Sequence, residues 1–185
     1  MAIEKTVGVV LRAVDFSETS KIATLFTRDF GKMGVMAKGG RRLKSSFDVS
    51  LDILSVLSIC VLRKPSAELD LLTEAALEER FTGLRGDLKA LHAAYYAAEI
   101  LEGLTRPHDP HPRLFEETVF TLRRLAAGED RNAVLGRFQL RLLAETGFAL
   151  SLESCAGCGA VEAIAERMRI SVRAGGLICA ECAKH

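Results

Sequence analysis

Four of the five cysteines fall into two close pairs, Cys155-Ala-Gly-Cys158 and Cys179-Ala-Glu-Cys182, separated by 20 residues. The spacing C-x2-C-x20-C-x2-C lies in the range of zinc sites. Two residues between cysteines let one tight turn aim both sulfurs at a single ion, and four thiolates complete a tetrahedron. Gly157 and Gly159 around the first pair, and Gly175-Gly176 ahead of the second, supply the permissive backbone such knuckles need. Four protein ligands leave no position for water, so one structural Zn2+ held by Cys155, Cys158, Cys179 and Cys182 is the expectation. The alternatives are two unrelated dithiols, a redox pair, or an iron–sulfur cluster on the same four thiolates. Cys60 stands apart in an apolar run and is expected as a buried small hydrophobe.

A second kind of chemistry is suggested by Lys38-Gly39-Gly40-Arg41-Arg42-Leu43-Lys44, four cations in seven residues. Phosphate backbones require positive charge on a surface that approaches closely, and glycines permit that approach. Lys21, Arg28 and Lys32 precede the segment and extend the track if they project to the same face. A solvated loop serving solubility is the plain alternative. Four phenylalanines, Phe16, Phe26, Phe30 and Phe47, share this region, and single-strand-binding barrels stack bases on aromatic faces. Such residues are more often core. Phe26, in an alternating run, is expected to be buried, and Phe47 is the best stacking candidate.

Catalytic patterns are missing. There is no P-loop, GxSxG or HExxH motif, and the carboxylates are scattered. His108-Asp109-Pro110-His111 lies in a proline-bracketed loop where polar residues are expected anyway, and His92 reads as a partly exposed helix residue. Nothing in the pattern argues for an enzyme.

These groups must be held by a chain of 185 residues that is 49% hydrophobic, enough for one large or two small domains with a true core. The net charge of +1 hides an asymmetry. Residues 1–64 hold 11 Lys+Arg against 6 Asp+Glu, a balance of +5, and the remaining 121 residues hold 14 against 18, a balance of −4. The basic first part is the one expected to meet an anionic partner. No apolar run approaches the roughly 18 to 20 residues that cross a bilayer, and the N-terminus lacks a signal-peptide pattern, so a cytoplasmic protein is expected.

Residues 1 to about 80 read as strands: Thr6 to Val14, then Lys21 to Thr27 turning through Asp29-Phe30-Gly31 into Lys32 to Ala37, then Leu51 to Leu62 as one long strand, and Leu69 to Thr73. Five strands without a helix-length gap suit a small antiparallel barrel, the OB barrel being one common form, or a small sandwich. From about residue 80 the period becomes helical, with Leu84, Leu88, Leu91, Tyr95 and Ala98 on one face and an end near Leu104. Two further helices are expected over Leu114 to Ala127 and Ala133 to Thr146, the latter with Asp130 or Asn132 as cap and Gly147 past its end.

Taken together, the segments GVVLRAVDFSETSKIATLFTRDFGKMGVMAKGGRRLKS, LRGDLKALHAAYYAAEILEGLT, FQLRLLAETGFALSLESCAGCG and GGLICAEC make the chain resemble the bacterial RecO family of recombination mediators. The resemblance covers nearly the whole chain. It implies an α+β multi-domain protein: a five-stranded OB-type barrel over 1–80, a small helical domain over 81–150 and a four-cysteine zinc module over 151–185. It also implies binding of single- and double-stranded DNA, annealing of complementary strands, engagement of the single-strand-binding protein SSB, and action with RecR to load RecA, in the cytoplasm at the nucleoid and without a catalysed chemical step. Carried onto this sequence, Lys38, Arg41 and Arg42 become the leading phosphate contacts, with Lys44, Lys21, Arg28 and Lys32 beside them, and the four cysteines match the family's metal ligands. RecO-like chains continue well past the second CxxC, whereas only Ala183-Lys184-His185 follow here. The expectation is a truncated chain or a lineage without the last helices, which leaves open how the helical domain and the SSB-docking surface are completed. The competing reading is a protein-interaction adaptor that uses the zinc module and helices and has little affinity for DNA.

Overall fold

Alternation in the first part of the chain is realised as five strands: β1 (Ala2–Asp15), β2 (Lys21–Thr27), β3 (Gly31–Ala37), β4 (Val56–Arg63) and β5 (Asp70–Glu79). The computed structural model describes residues 2–38, 51–63, 69–161 and 168–184. The strands close into a barrel in the order β1-β2-β3-β5-β4, antiparallel except for the β3–β5 pair, which settles the choice between barrel and sandwich in favour of an OB-type barrel. Closure depends on the length of β1. Its first part, Ala2 to Val9, pairs with β4, and its later part, Gly8 to Asp15, pairs with β2.

Strand alternation fills the interior. Met33, Val35 and Ala37 of β3 point inward with Ala23 and Leu25 of β2, Val10 of β1, Leu57, Ile59 and Val61 of β4, and Leu72 and Ala75 of β5. Phe26 is fully buried as expected, but it lies outside this interior cluster. It belongs to the outer sheet face, on the strand against which a helix of the following region packs. Cys60 corrects its expectation. It sits one position out of phase with Ile59 and Val61, is only half-buried, and its thiol is pushed up by burial and then by Glu74.

β4 starts at Val56 rather than Leu51. Leu54 takes a left-handed φ of 72°, which ends any strand there, and its N–H is held by the carbonyl of Val10 at 2.8 Å. Apolar content made Leu51 to Ser55 look like strand, but buried turns are apolar too.

The helices are α1 (Gly83–Gly86), α2 (Leu88–Leu104), α3 (Pro112–Ala126) and α4 (Arg131–Glu145). Asp87 separates the first two: its carboxylate accepts the N–H groups of Lys89 (2.8 Å) and Ala90 (3.1 Å), capping α2. The Ala90 bond is the leading cause holding the Asp87 carboxyl below its usual range.

The expected helical face is corrected here. Leu88 is 65% and Tyr95 42% exposed, while Ala90, Ala93, Ala94, Ala97, Ala98 and Leu101 are buried. Alanines let a helix approach its neighbours closely, and the larger side chains are turned outward. Asp130 caps α4 by accepting the N–H of Asn132 at 3.0 Å, and Gly128 and Gly147 take φ values of 77° and 87° past the ends of α3 and α4.

By its internal packing the chain forms two compact units, residues 1–138 and 139–185. Within the first, α2 touches β1 and α3 touches β2. A loop locks this arrangement: the N–H of His108 donates to the carbonyl of Lys32 at 2.9 Å, and Gly31, with φ 66°, lies where a Cβ would overlap the backbone of Asp109. The second unit ends in a small hairpin, β6 (Arg169–Ser171) with β7 (Gly176–Ile178).

Candidate nucleic-acid interface and metal centre

Register decides which of the basic residues meet. Lys21 opens β2 and pairs with Ala37, so it lies at the same end of the β2–β3 hairpin as Lys38, which follows β3 and is exposed. Arg28 and Lys32 lie at the other end, beside the turn, across strands seven residues long. That length is about 20 Å. Lys21 Nζ stands 3.8 Å from Asp15 Oδ1, and Arg28 Nε 3.7 Å from Asp29 Oδ1. Lys32 is half-buried, and its Nζ donates to the carbonyl of Glu102 at 2.5 Å, placing a cation where the end of α2 is negative. The structure therefore puts Lys21, on the sheet face of its partner Ala37, and Lys38, one residue beyond Ala37, at one end of the hairpin, with Arg28 and Lys32 at the other. Arg41, Arg42, Lys44 and Phe47 lie outside the described residues, in the stretch the chain enters directly from Lys38.

The outer face of the β1–β2–β3 sheet has two halves. Phe26 and its partner Lys32 occupy one, where burial and the bond to Glu102 close the surface. The other carries Arg12 opposite Thr24, Val14 opposite Ile22, and Ile22 opposite Met36. Arg12 is exposed, Val14 is 43% exposed, and Ile22, Thr24 and Met36 are half-buried. Arg12 was not singled out from sequence, and Phe16 was named there only as one of four phenylalanines more often expected in the core, though both sit in the basic first part. The alternation of β1, read outward from buried Val10 past the irregularity before Arg12, is the signal that places them.

The cysteines converge as their spacing implied. The four sulfurs of Cys155, Cys158, Cys179 and Cys182 all lie within 4.8 Å of one another, with Cys158 Sγ 3.9 Å from Cys179 Sγ, and none is in a disulfide. A tetrahedral thiolate site with metal–sulfur bonds of about 2.3 Å has edges of about 3.8 Å, so the donor set fits one metal ion. Backbone groups support the sulfurs: the N–H of Cys179 donates to Cys155 Sγ at 3.3 Å, and that of Cys182 to Cys179 Sγ at 3.5 Å. The Cys179 bond, followed by one from Cys158, lowers the Cys155 thiol to about 6. Hydrogen bonds to Cys179, then Cys158 and Cys155, push Cys182 up to about 12. Four sulfurs this close ionise together only around a cation, so metal uptake releases protons. Gly157 packs closely on the site: a Cβ there would stand 3.0 Å from Cys182 Sγ, so the sulfur would have to give by a few tenths of an ångström. Among the described residues this is the only cluster of metal-ligating side chains; His111 instead pairs with Asp109 at 3.3 Å.

The first unit also carries a cleft of about 330 Å³ lined by Leu54, Phe81, Leu84, Leu91 and Tyr95 with Arg85 at its edge. Asp52 holds both Arg80 (3.1 Å) and Arg85 (3.2 Å). No helix among the described residues is long and apolar enough to cross a membrane.

Comparison with known proteins agrees with this geometry. Residues 1–81 match the family model described as Recombination protein O N terminal, and residues 85–185 the one described as Recombination protein O C terminal. The chain is 42% identical over 176 residues to the DNA repair protein RecO of Rhodopirellula baltica, covering 95% of this chain and 65% of that protein. It is 38% identical over 179 residues to the RecO of Anaeromyxobacter sp. strain K, covering 97% and 70%, and 35% identical over 178 residues to that of Bacillus pumilus, covering 96% and 68%. The chain thus spans about two thirds of the length of these curated relatives. Both family models and these relatives place the chain in the RecO family of DNA repair proteins.

Proposed function

We propose that this chain is a DNA-binding recombination mediator: it binds single- and double-stranded DNA, anneals complementary strands, and acts with RecR to place RecA on SSB-coated DNA. The observation that supports the reading is Lys38, exposed just past the end of β3, because the chain passes from there straight into Gly39-Gly40-Arg41-Arg42-Leu43-Lys44. Cations grouped at one rim of an OB-type barrel neutralise phosphates of two strands at once and lower the repulsion that opposes pairing. Lys38, Arg41 and Arg42 are the leading contacts, with Lys44 and Lys21 beside them and Arg28 and Lys32 more remote. The reaction is strand pairing, so no bond is made or broken and no catalytic residue is assigned.

In this reading the work is divided among a DNA-binding barrel over 1–80, helices over 81–150 and a zinc module over 151–185, in the cytoplasm at the nucleoid. One Zn2+ bound by Cys155, Cys158, Cys179 and Cys182 supplies a cross-link that fastens the module; with four thiolates it has no open position for substrate. Among the described residues from 148 onward only Cys155 and Gly176 are buried, so these residues build no apolar core of their own.

The adaptor reading is favoured by the cleft in which Leu84, Leu91 and Tyr95 lie beside Asp52, Arg80 and Arg85, a mixed lining suited to a protein segment. Fluorescence anisotropy with a labelled single-stranded oligonucleotide separates the two. The mediator reading expects binding that weakens steadily as salt rises. Binding to SSB or RecR with no measurable affinity for the bare oligonucleotide would move the adaptor to first place.

A further inference from the structure

Phe16 is 61% exposed, and it stands at the open half of the outer sheet face. Its backbone is fixed by the turn that joins β1 to β2: the N–H of Phe16 donates to the carbonyl of Ser20 at 3.0 Å, and the Ser17 hydroxyl accepts the N–H of Ser20 at 3.2 Å. Asp15 pairs with Lys21, and Lys21 with Ala37. Phe16 lies beside Ser20, and Lys38 is one residue past the last β2–β3 pair. Two strand spacings separate Phe16 from Lys38, about 10 Å of backbone. Ala37 faces the barrel interior and ends β3, the exposed Lys38 follows it, and the exposed Phe16 follows β1 two residues after Val14. Arg12 and Val14 precede Phe16 on the outer face of β1, and Arg12 has no ion pair among the described residues.

An exposed ring on a tight turn, with a cation on either side along one surface, matches the needs of an unpaired nucleotide. Its base offers a π-face and its flanking phosphates need positive charge. We infer that Phe16 is a base-stacking platform for single-stranded DNA, with Lys38 and Arg12 meeting the phosphates on its two sides. This rests on the DNA-binding reading above and adds to it a residue and a substrate preference. A base within a duplex is already stacked, so the platform favours single strands over duplex at this rim.

The chain contains no tryptophan, so Phe16→Trp places a single reporter at the proposed contact. Titration with oligo(dT) quenches that fluorescence. Phe16→Ala and Phe16→Leu both weaken single-strand binding by roughly 5- to 150-fold, the range of one lost base stack, because leucine keeps the bulk but has no π-face. Both leave the salt slope and the far-UV spectrum unchanged, and duplex binding moves less. An unquenched tryptophan in a variant that still binds oligo(dT), together with unchanged affinity of Phe16→Leu, would overturn the inference alone. Absence of any salt-sensitive binding by the parent chain would instead remove the DNA-binding reading and this inference with it.

Discussion

Removing the metal with a chelator, or replacing Cys155 with Ser, unfolds the chain from about residue 150 onward and leaves the barrel folded. The magnitude follows from what else could hold that segment. Among its described residues only Cys155 and Gly176 are buried, Val161, Ile170 and Val172 are exposed, and the hairpin pairs just three residues on each strand. A few backbone bonds remain, such as Ala156 N–H to the Leu177 carbonyl at 2.6 Å and Leu177 N–H to the Ser151 carbonyl at 2.8 Å. Solvent-exposed bonds of this kind each contribute about 1 kcal/mol, which does not offset the ordering of some thirty residues. Structural zinc contributes on the order of 10 kcal/mol to such segments at neutral pH.

Hydrogen exchange reads the outcome directly: amides of 151–161 and 168–178 lose protection on stripping, and those of β1 to β5 keep theirs. A thiol titration gives the same answer in another form, with four cysteines shielded only while one equivalent of zinc is bound and Cys60 behaving alike in both states. Unchanged protection of the module after complete metal removal would show that the cysteines are not its fastening.

The second large effect concerns Arg41 and Arg42. Single-strand binding loses about 0.7 in log–log salt slope for each phosphate contact removed, so Arg41→Ala with Arg42→Ala shallows the slope by about 1.4 and weakens binding evenly across sequences. Lys32→Ala is the internal comparison. Its ammonium is bonded to the Glu102 carbonyl and lies a strand length from Lys38, so its slope changes less while the melting temperature falls. An unchanged slope in the double arginine variant, with folding intact, would take the Lys38 segment out of the binding site.

Much of this architecture could be read from residue order. The β2–β3 hairpin followed from the alternation of Lys21 to Thr27 and the Asp29-Phe30-Gly31 turn, and its β2 bounds agree residue for residue. The cysteine spacing required one cluster, and the sulfurs form one. The departures share a cause: apolar type does not state direction. Leu88 and Tyr95 carry far more apolar surface than alanine, yet close helix packing selected Ala90, Ala94 and Ala97 for the buried face. Leu54 is buried in a left-handed turn that no strand pattern discloses, and Cys60 is out of phase with the barrel interior by a single residue. Phe16 looked like one more core aromatic because its exposure depends on a turn closed by Ser17 and Ser20.

A chain that pairs DNA strands held by another protein must anneal them while that protein is still bound. Two complementary oligonucleotides, one carrying a fluorophore and the other a quencher, are each coated with SSB and mixed with the zinc-loaded chain at low and at moderate salt. The mediator account predicts quenching well above the rate with SSB alone, slowed by salt and by the Arg41→Ala, Arg42→Ala pair. Quenching no faster than with SSB alone, by a chain that is folded, zinc-loaded and bound to SSB, would contradict it and leave the adaptor reading in its place.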